Sequence, residues 1–382
     1  MAERPGFYEF FAGGGMARAG LGADWRCLFA NDVDAKKGES YRANWGDAEL
    51  RLADVHALAP ADLPGGADLA WASFPCQDLS LAGAGAGLSG ARSGAFWGFH
   101  ALIRDLSAEG RAPALLALEN VVGLLTARGG RDFADLVAAL AGLGYRVGAA
   151  VIDAAHFTPQ SRPRLFIVAA RADLSLPADL VGESPAPEWT PPALARAVTQ
   201  FDAATRAAWR WWRLPAPPRR NLTLAALVEE APADVAWRAP HETERLMGMM
   251  APLHRARVAA ALASGERRVG ALYRRMRRDE EGRRVQRAEA RFDGLAGCLR
   301  TPAGGSSRQT LLIVENGVVR SRLISAREAA RLMGLPDSYR LPAGYTDACH
   351  LVGDGVCVPA VRFLSEHLLL PLIGRARARA AA

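Results

Sequence analysis

Two residues that could take part in catalysis lie at the ends of apolar segments. Cys76 lies in FPCQDLS, immediately before the glycine-rich stretch LAGAGAGLSGARSG. Glu119 follows the apolar run LLAL in LALENV. A thiol at such a position is a candidate nucleophile, although a cysteine also packs as a small hydrophobic residue. A carboxyl there either caps a following turn or has a raised pKa that suits it to proton transfer.

Two arginines precede another apolar segment and are candidate anion ligands. In QSRPRLFIV, Arg162 and Arg164 are two residues apart, so an extended backbone places both on one face. Guanidinium groups near a thiol and a carboxyl favour binding of an oxyanion or a phosphate. The alternative is simple pairing with acidic neighbours.

A glycine turn near the start of the chain is typical of a nucleoside site. FYEFFAGGG predicts a strand that ends in a tight turn before the helix MARAGLG, and Asp32 follows Gly13 by 19 residues. Glycines allow close approach of a ligand, and an acidic residue at the next strand end accepts hydrogen bonds from ribose. Departure from GxGxxG favours a nucleoside with a short charged tail, such as S-adenosylmethionine, over a dinucleotide. Asp54 in RLADV either binds the adenine amino group or caps a helix.

The elements that must position these residues alternate along the first 170 residues. Apolar segments such as CLFAND, LAWASF, LLALENV and RLFIVAAR alternate with helical patterns such as AKKGESYRANW and FADLVAALAGLG. This alternation predicts an α/β fold with a Rossmann-like, doubly wound, mostly parallel sheet. Ligands of such sheets bind beyond the carboxyl ends of the strands. The candidate residues therefore converge on one crevice.

The pattern changes after residue 171, which predicts three domains or segments: 1–171, 172–321 and 322–382. The middle part is rich in proline, tryptophan and arginine and lacks clean alternation. Ser325 and Glu328 form a predicted capping box for a helix that Gly334 and Pro336 end. The apolar end of the chain predicts a helix that packs back on the first domain.

Composition limits the class of protein. The chain has 382 residues, half of them hydrophobic, which is enough for a large core. It has no apolar run of about 18–20 residues and no signal-like start, so we expect a cytoplasmic protein without a membrane partner. Its five cysteines are odd in number, and none of them form CxxC pairs. This favours reduced thiols over disulfides or a structural zinc site.

Positive charge is concentrated in one segment. The net charge of the chain is +7, and residues 255–291 contain twelve arginines and five acidic residues, so they account for all of it. Such a cluster is an electrostatic signature of a polyanion-binding surface. The alternative is a solvated, arginine-rich helix.

Together, these motifs resemble the C5-type DNA cytosine methyltransferases. FAGGG, PCQ, ENV, QSRPR and the pair LMGLPDSY and GDGV occur in the order and spacing of that family, over residues 6–170 and 322–372. The resemblance implies a class I S-adenosylmethionine-dependent methyltransferase fold with a smaller, irregular target-recognition domain between these parts. It also implies methylation at C5 of a cytosine flipped out of duplex DNA.

The resemblance implies a role for each catalytic residue. Cys76 adds to C6 of the cytosine, which makes C5 nucleophilic. Glu119 holds N3 and the exocyclic amine, and Asn120 fixes the orientation of Glu119. Arg164 binds the cytosine O2, and Arg162 orders the catalytic loop or the thiol. The glycine-rich stretch after Cys76 is predicted to act as a mobile lid. The alternative is an ordinary surface loop.

The cofactor implied by the resemblance is S-adenosyl-L-methionine. Its predicted contacts are Phe11, Ala12, Gly13, Gly15, Asp32, Val33, Asp54, Val55, Pro75, Phe96, Asp354, Gly355 and Val356. Asp354 stands where the family usually has asparagine. Its carboxylate either pairs with the ammonium group of the cofactor or weakens binding near the cofactor carboxylate.

The predicted partner is double-stranded DNA, bound by a monomeric enzyme in a bacterial or phage-infected cell, near the nucleoid. Arginines of 255–291 are predicted to contact phosphates. Gln160, Arg300, Arg308 and Gln309 are predicted DNA contacts, the last three at base edges. Two alternatives stay open: a methyltransferase of the same fold that acts on tRNA, and a catalytically silent DNA-binding protein. The second predicts loss of catalytic residues that this chain retains.

Overall fold

A computed structural model describes residues 3–74, 94–301 and 308–374. The chain forms two compact units. Unit 1 comprises Met1–Asp153, Pro163–Pro217 and Val356–Ala382, and unit 2 comprises Ala154–Arg162 and Pro218–Gly355.

Unit 1 is built on a seven-stranded, mostly parallel sheet, which confirms the predicted fold class. The strand order is β3-β2-β1-β4-β5-β7-β6, and β7 runs antiparallel to both of its neighbours. The strands are β1 (Gly6–Phe10), β2 (Arg26–Asp32), β3 (Leu50–Leu52), β4 (Leu69–Ala72), β5 (Leu115–Val121), β6 (Tyr145–Asp153) and β7 (Pro163–Arg171). The carboxyl ends of β1, β2, β4 and β5 therefore meet at one edge.

Helices pack on this sheet and enclose the core of unit 1. They are α1 (Met16–Leu21), α2 (Ala35–Trp45), α3 (Ala95–Ala108) and α4 (Arg131–Gly142). The rings of Phe10 on β1 and Phe99 on α3 lie 5.2 Å apart, centroid to centroid. Six of the seven β5 residues are buried, as is typical of a central strand with both faces covered.

Two further segments belong to unit 1. After β7 come β8 (Val181–Gly182), α5 (Pro192–Thr199), α6 (Ala203–Ala208) and β9 (Trp211–Trp212). Trp212 Nε1 donates to Val168 O of β7 (3.0 Å), which ties this segment to the sheet. Near the end of the chain, α12 (Val358–Leu364) packs on α1. The end of the described chain therefore belongs to unit 1.

Unit 2 contains a four-stranded antiparallel sheet of order β11-β10-β12-β13. Its elements are α7 (Leu224–Leu227), α8 (Pro240–Gly248), α9 (Pro252–Ala263), β10 (Arg268–Arg278), β11 (Arg284–Arg291), β12 (Thr310–Glu315), β13 (Val318–Leu323), α10 (Ala326–Leu332) and α11 (Tyr345–Asp354). Most of the arginine-rich segment forms the β10–β11 hairpin, so the alternative of an arginine-rich helix is wrong. The predicted capping box of Ser325 and Glu328 is confirmed.

The bounds of the two units differ from the predicted boundaries at 171 and 321. Residues 172–217 belong to unit 1 because their tryptophans pack on its sheet. Residues 322–355 belong to unit 2 because the N-terminal turn of α10 is hydrogen-bonded to residues 229 and 234 of that unit.

One described helical segment, Tyr345–Gly374, has the length and apolar composition that a membrane span needs. Of its apolar window, 67% is buried inside the protein. Burial of that extent is typical of a core helix.

Candidate functional site

The glycine turn after β1 is fastened to the end of β2. Gly13 N donates to Asp32 Oδ2 (2.8 Å), and Asp34 N donates to Asp32 Oδ1 (2.8 Å). Ala12 N donates to Asn31 O (2.8 Å). Phe11 has a φ of 58°, which is unusual for a bulky residue and common at functional sites. The predicted nucleoside-binding residues Phe11, Ala12, Gly13 and Asp32 are thus brought together.

Trp45, which the sequence reasoning missed, holds the same turn from the end of α2. Its Nε1 donates to Gly14 O (3.0 Å). Gly15 has a φ of 75°, and a Cβ there would lie 2.3 Å from Trp45 Nε1, so only glycine fits. The available signal was a tryptophan at the end of a predicted helix, but its partner is 31 residues away in the sequence.

Further predicted cofactor contacts lie just after β2, just after β3 and on α3. The residue after Asp32 is Val33, which is 71% exposed. Asp54 accepts a hydrogen bond from His56 N (2.9 Å) and so caps a short 3-10 turn, in agreement with the helix-cap alternative. Val55 is buried. Phe96 of α3 is fully buried and lies 5.6 Å from the Phe74 ring, centroid to centroid.

The carboxyl end of β5 carries the predicted catalytic carboxyl and amide. Arg164 Nε on β7 lies 3.2 Å from Glu119 Oε1, and both side chains are largely buried. Asn120 Oδ1 accepts from Val121 N (2.9 Å), and Asn120 Nδ2 donates to Phe74 O (3.4 Å). Asn120 therefore links the end of β5 to the residue just before Pro75 and Cys76. Pro75, Cys76 and the predicted lid lie outside the described residues.

Arg162 lies just before β7 and has partners that differ from those of Arg164. β7 begins only at Pro163, and Arg162 belongs to unit 2. Its guanidinium is buried and donates to Leu299 O (2.9 Å), Gly353 O (3.0 Å) and Gly355 O (2.7 Å). Within the described residues, it therefore orders backbone of unit 2.

The two glutamines predicted to contact DNA are buried. Gln160 is fully buried: its Oε1 accepts from Leu299 N (3.0 Å), and its Nε2 donates to Leu332 O (2.9 Å). Gln309 is 3% exposed, and its Oε1 accepts from Tyr273 Oη (2.5 Å). This geometry presents neither amide to a ligand, contrary to the prediction. Long-range partners bury them, and the sequence does not reveal such partners.

The two arginines predicted to read bases differ in their surroundings. Arg308 Nη2 donates to Thr346 Oγ1 (3.0 Å), and its guanidinium carbon lies 5.3 Å from the centroid of the Tyr345 ring. Arg300 is exposed. Of the four predicted DNA contacts, Arg300 is thus the one whose exposure best suits that role.

Asp354, Gly355 and Val356 lie at the end of α11 and just beyond it. The Asp354 carboxylate accepts a hydrogen bond from Thr301 Oγ1. Gly355 O accepts from Arg162, and Val356 is buried. The carboxylate that departs from the family pattern therefore has a hydroxyl partner within unit 2.

Glu9, in the middle of β1, is a buried acidic residue that the sequence reasoning missed. Its Oε1 accepts from Arg18 N of α1 (3.2 Å), and its Oε2 has no hydrogen-bond partner among the described residues. Burial raises the pKa of Glu9 to about 8; Arg18 lowers it and Asp32 raises it, both to a smaller extent. Glu9 therefore supports α1, whose N-cap Gly15 offers no side chain.

We predict that Glu9 makes the folded state less stable as the pH rises. The folded-state pKa is above the ordinary value of 4.5, so the folded state binds the extra proton between pH 4.5 and about 8. Stability is therefore fully present below this window and falls through it, by at most about 1.4 kcal/mol per pH unit. Glu9→Gln should remove this dependence. Urea unfolding midpoints of the wild type and of Glu9→Gln, measured between pH 5 and 9, test this prediction. Midpoints that change with pH in parallel for the two proteins contradict it.

Comparisons with known proteins find matches that cover nearly the whole chain. The model of the C-5 cytosine-specific DNA methylase family matches residues 6–369. The chain is 26% identical to the type II methyltransferase M.NlaX of Neisseria lactamica, over 94% of this chain and 95% of that protein. It is 24% identical to the type II methyltransferase M.HpaII of Haemophilus parainfluenzae, over 97% and 90%.

Solved structures show the same fold. The methyltransferase EhMeth of Entamoeba histolytica matches with a TM-score of 0.63 at 11% identity, over 97% of this chain and 99% of that one. The Dnmt2 methyltransferase of S. pombe matches with a TM-score of 0.56 at 16% identity and the same coverage. At these identities, the likeness concerns the fold alone.

Proposed function

Because the chain belongs to the C-5 cytosine-specific DNA methylase family and is a DNA (cytosine-5-)-methyltransferase, we propose that it methylates C5 of a cytosine flipped out of duplex DNA, with S-adenosyl-L-methionine as cofactor. The family match confirms the resemblance drawn from the motifs. The observation that carries the finer proposal is the convergence of the glycine turn, Asp32, Glu119 and Asn120 at the carboxyl edge of one sheet.

The residues at the ends of β1 and β2 fit S-adenosyl-L-methionine. A Cβ at Gly13 would meet no atom within 4 Å, so there is open space in front of the turn. Asp32 is positioned by two backbone N–H groups and offers its remaining lone pairs to ribose hydroxyls. The exposed Val33 offers an apolar surface to the adenine ring. When bound, the cofactor supplies a methyl group activated by its sulfonium.

Three side chains are proposed to act on the base. The Cys76 thiolate forms a bond to C6, and the electron pair displaced from the ring makes C5 nucleophilic. Glu119 shares a proton with N3, which neutralises charge that builds on the ring. Arg164, whose Nε lies 3.2 Å from Glu119 Oε1, is proposed to hold the cytosine O2. After methyl transfer, loss of the C5 proton breaks the bond from C6 to sulfur and restores the thiolate.

The β10–β11 hairpin is proposed to bind the phosphate backbone. Its strands hold Arg278 and Arg284 directly opposite each other, and Arg275 and Arg287 likewise. Like charges in such positions repel, and a polyanion would relieve that repulsion. Glu289 offsets part of the charge through Arg275 (3.5 Å) and Arg277 (2.5 Å). Because the curated relatives are named type II methyltransferases, a role within a restriction–modification system is also proposed.

We predict that methyl transfer requires duplex DNA. With methyl-labelled S-adenosyl-L-methionine, a duplex DNA library should become labelled and bulk tRNA should not. Glu119→Gln should lower the rate about 10²- to 10⁴-fold, because the amide keeps the shape but cannot share a proton with N3. Scintillation counting of both substrates measures this. Label in tRNA alone contradicts the proposal and favours the tRNA alternative.

A further inference from the structure

In unit 2, side-chain hydrogen bonds hold the backbone at Leu299, the residue immediately before the exposed Arg300. Gln160 Oε1 accepts from Leu299 N (3.0 Å), and Arg162 Nη1 donates to Leu299 O (2.9 Å). Both side chains are at most 2% exposed, so water does not compete for these bonds. The position of the Arg300 Cα is thus fixed from the N-terminal side.

The end of α11 holds the same segment from the other side. A Cβ at Gly353 would lie 2.9 Å from Arg300 C and 2.9 Å from Thr301 N, so the helix touches this backbone directly. Asp354 accepts a hydrogen bond from Thr301 Oγ1. Arg162 joins both sides, because its Nη2 donates to Gly353 O (3.0 Å) while its Nη1 holds Leu299.

We propose that Arg162, Gly353 and Asp354 are positioning residues for Arg300, and that they determine which base edge its guanidinium reads in DNA. The proposal rests on the proposed function and adds residues that set its sequence specificity. An arginine discriminates guanine through two parallel hydrogen bonds, which tolerate little displacement. A shift of a few tenths of an ångström at residues 300–301 therefore lowers discrimination without any change in the chemistry of the reaction.

Gly353→Ala tests the proposal. Gly353 lies within α11 without a positive φ, so alanine favours the helix, but its methyl group must displace residues 300–301. Gly248→Ala is the matched control, since it also lies in a helix of unit 2 and its Cβ would meet no atom within 4 Å. Each protein methylates a randomised duplex library, and base-resolution sequencing gives the preference at every position around the methylated cytosine.

We expect Arg300→Ala to lose discrimination at one base position by about 5- to 150-fold. Gly353→Ala should lose at least about fivefold at that same position, the double variant should lose no more than Arg300→Ala, and Gly248→Ala should match the wild type. Thr301→Val should act in the same direction as Gly353→Ala, and Thr301→Ser, which keeps the hydroxyl, should not.

The inference is overturned if Arg300→Ala or Gly353→Ala leaves that preference unchanged. It is also overturned if Gly353→Ala lowers the base preference equally at all positions. A wild-type protein that methylates no sequence in the library overturns the proposed function instead. The two failures are therefore distinguishable in one experiment.

Discussion

Alanine in place of Cys76 will abolish methyl transfer to DNA, with a rate loss of roughly 10⁴-fold or more, because the proposed route needs this thiol to form the bond to C6 that makes C5 nucleophilic. DNA binding by the arginine-rich hairpin should persist, since it depends on phosphate contacts. Rates from labelled cofactor and affinities from gel shifts separate the two. Cys349→Ala is the control: that thiol is buried in α11, and alanine suits a helix.

The proposed covalent step can be tested by trapping. In a duplex with 5-fluorocytosine at the target base, the protein and cofactor should form an adduct that survives denaturation, because fluorine cannot leave C5 as a proton does. Peptide mapping should place the bond at residue 76, and Cys76→Ala should form none. A wild-type protein that methylates ordinary cytosine yet forms no adduct would contradict the covalent route while leaving the enzyme class intact.

Local pattern was enough to predict the sheet of unit 1 apart from its short edge strand β3. Each apolar run between helical patterns became a strand, and the ends of β1, β2 and β5 brought the predicted Gly13, Asp32 and Glu119 to one edge. The capping box at Ser325 was equally readable, because both of its partners lie within four residues. These features depend on short-range periodicity, which a single sequence contains.

The parts that failed depend on distant partners. Gln160 was assigned to DNA, yet its amide is satisfied by residues 299 and 332. Arg162 was expected to bind an anion, yet its buried guanidinium donates to backbone at residues 299, 353 and 355. Arginine has a high helix propensity, so a helix was a reasonable alternative for the arginine-rich segment, but cross-strand pairing made it a hairpin. Tertiary contacts decided each case.

The largest stability effect in unit 2 should come from the buried ion pair of Arg322 and Glu328. Both side chains are at most 2% exposed, and the guanidinium makes two bonds to the carboxylate, at 2.6 and 2.8 Å. The same carboxylate accepts from Ser325 N (2.8 Å) and Glu229 N (2.7 Å), so it joins α10 to two other segments. Removing one charge leaves the other without compensation in a dry site.

Glu328→Gln should therefore lower the free energy of unfolding by about 3–5 kcal/mol. Asp337→Asn is the matched control, because Arg331 Nε and Nη2 each lie 2.8 Å from the Asp337 carboxylate but Asp337 is 64% exposed; it should cost about 1 kcal/mol or less. Urea unfolding gives both values if the slope stays unchanged. Equal costs for the two substitutions would mean that Ser325, Glu229 and the turn around them hold α10 without the ion pair.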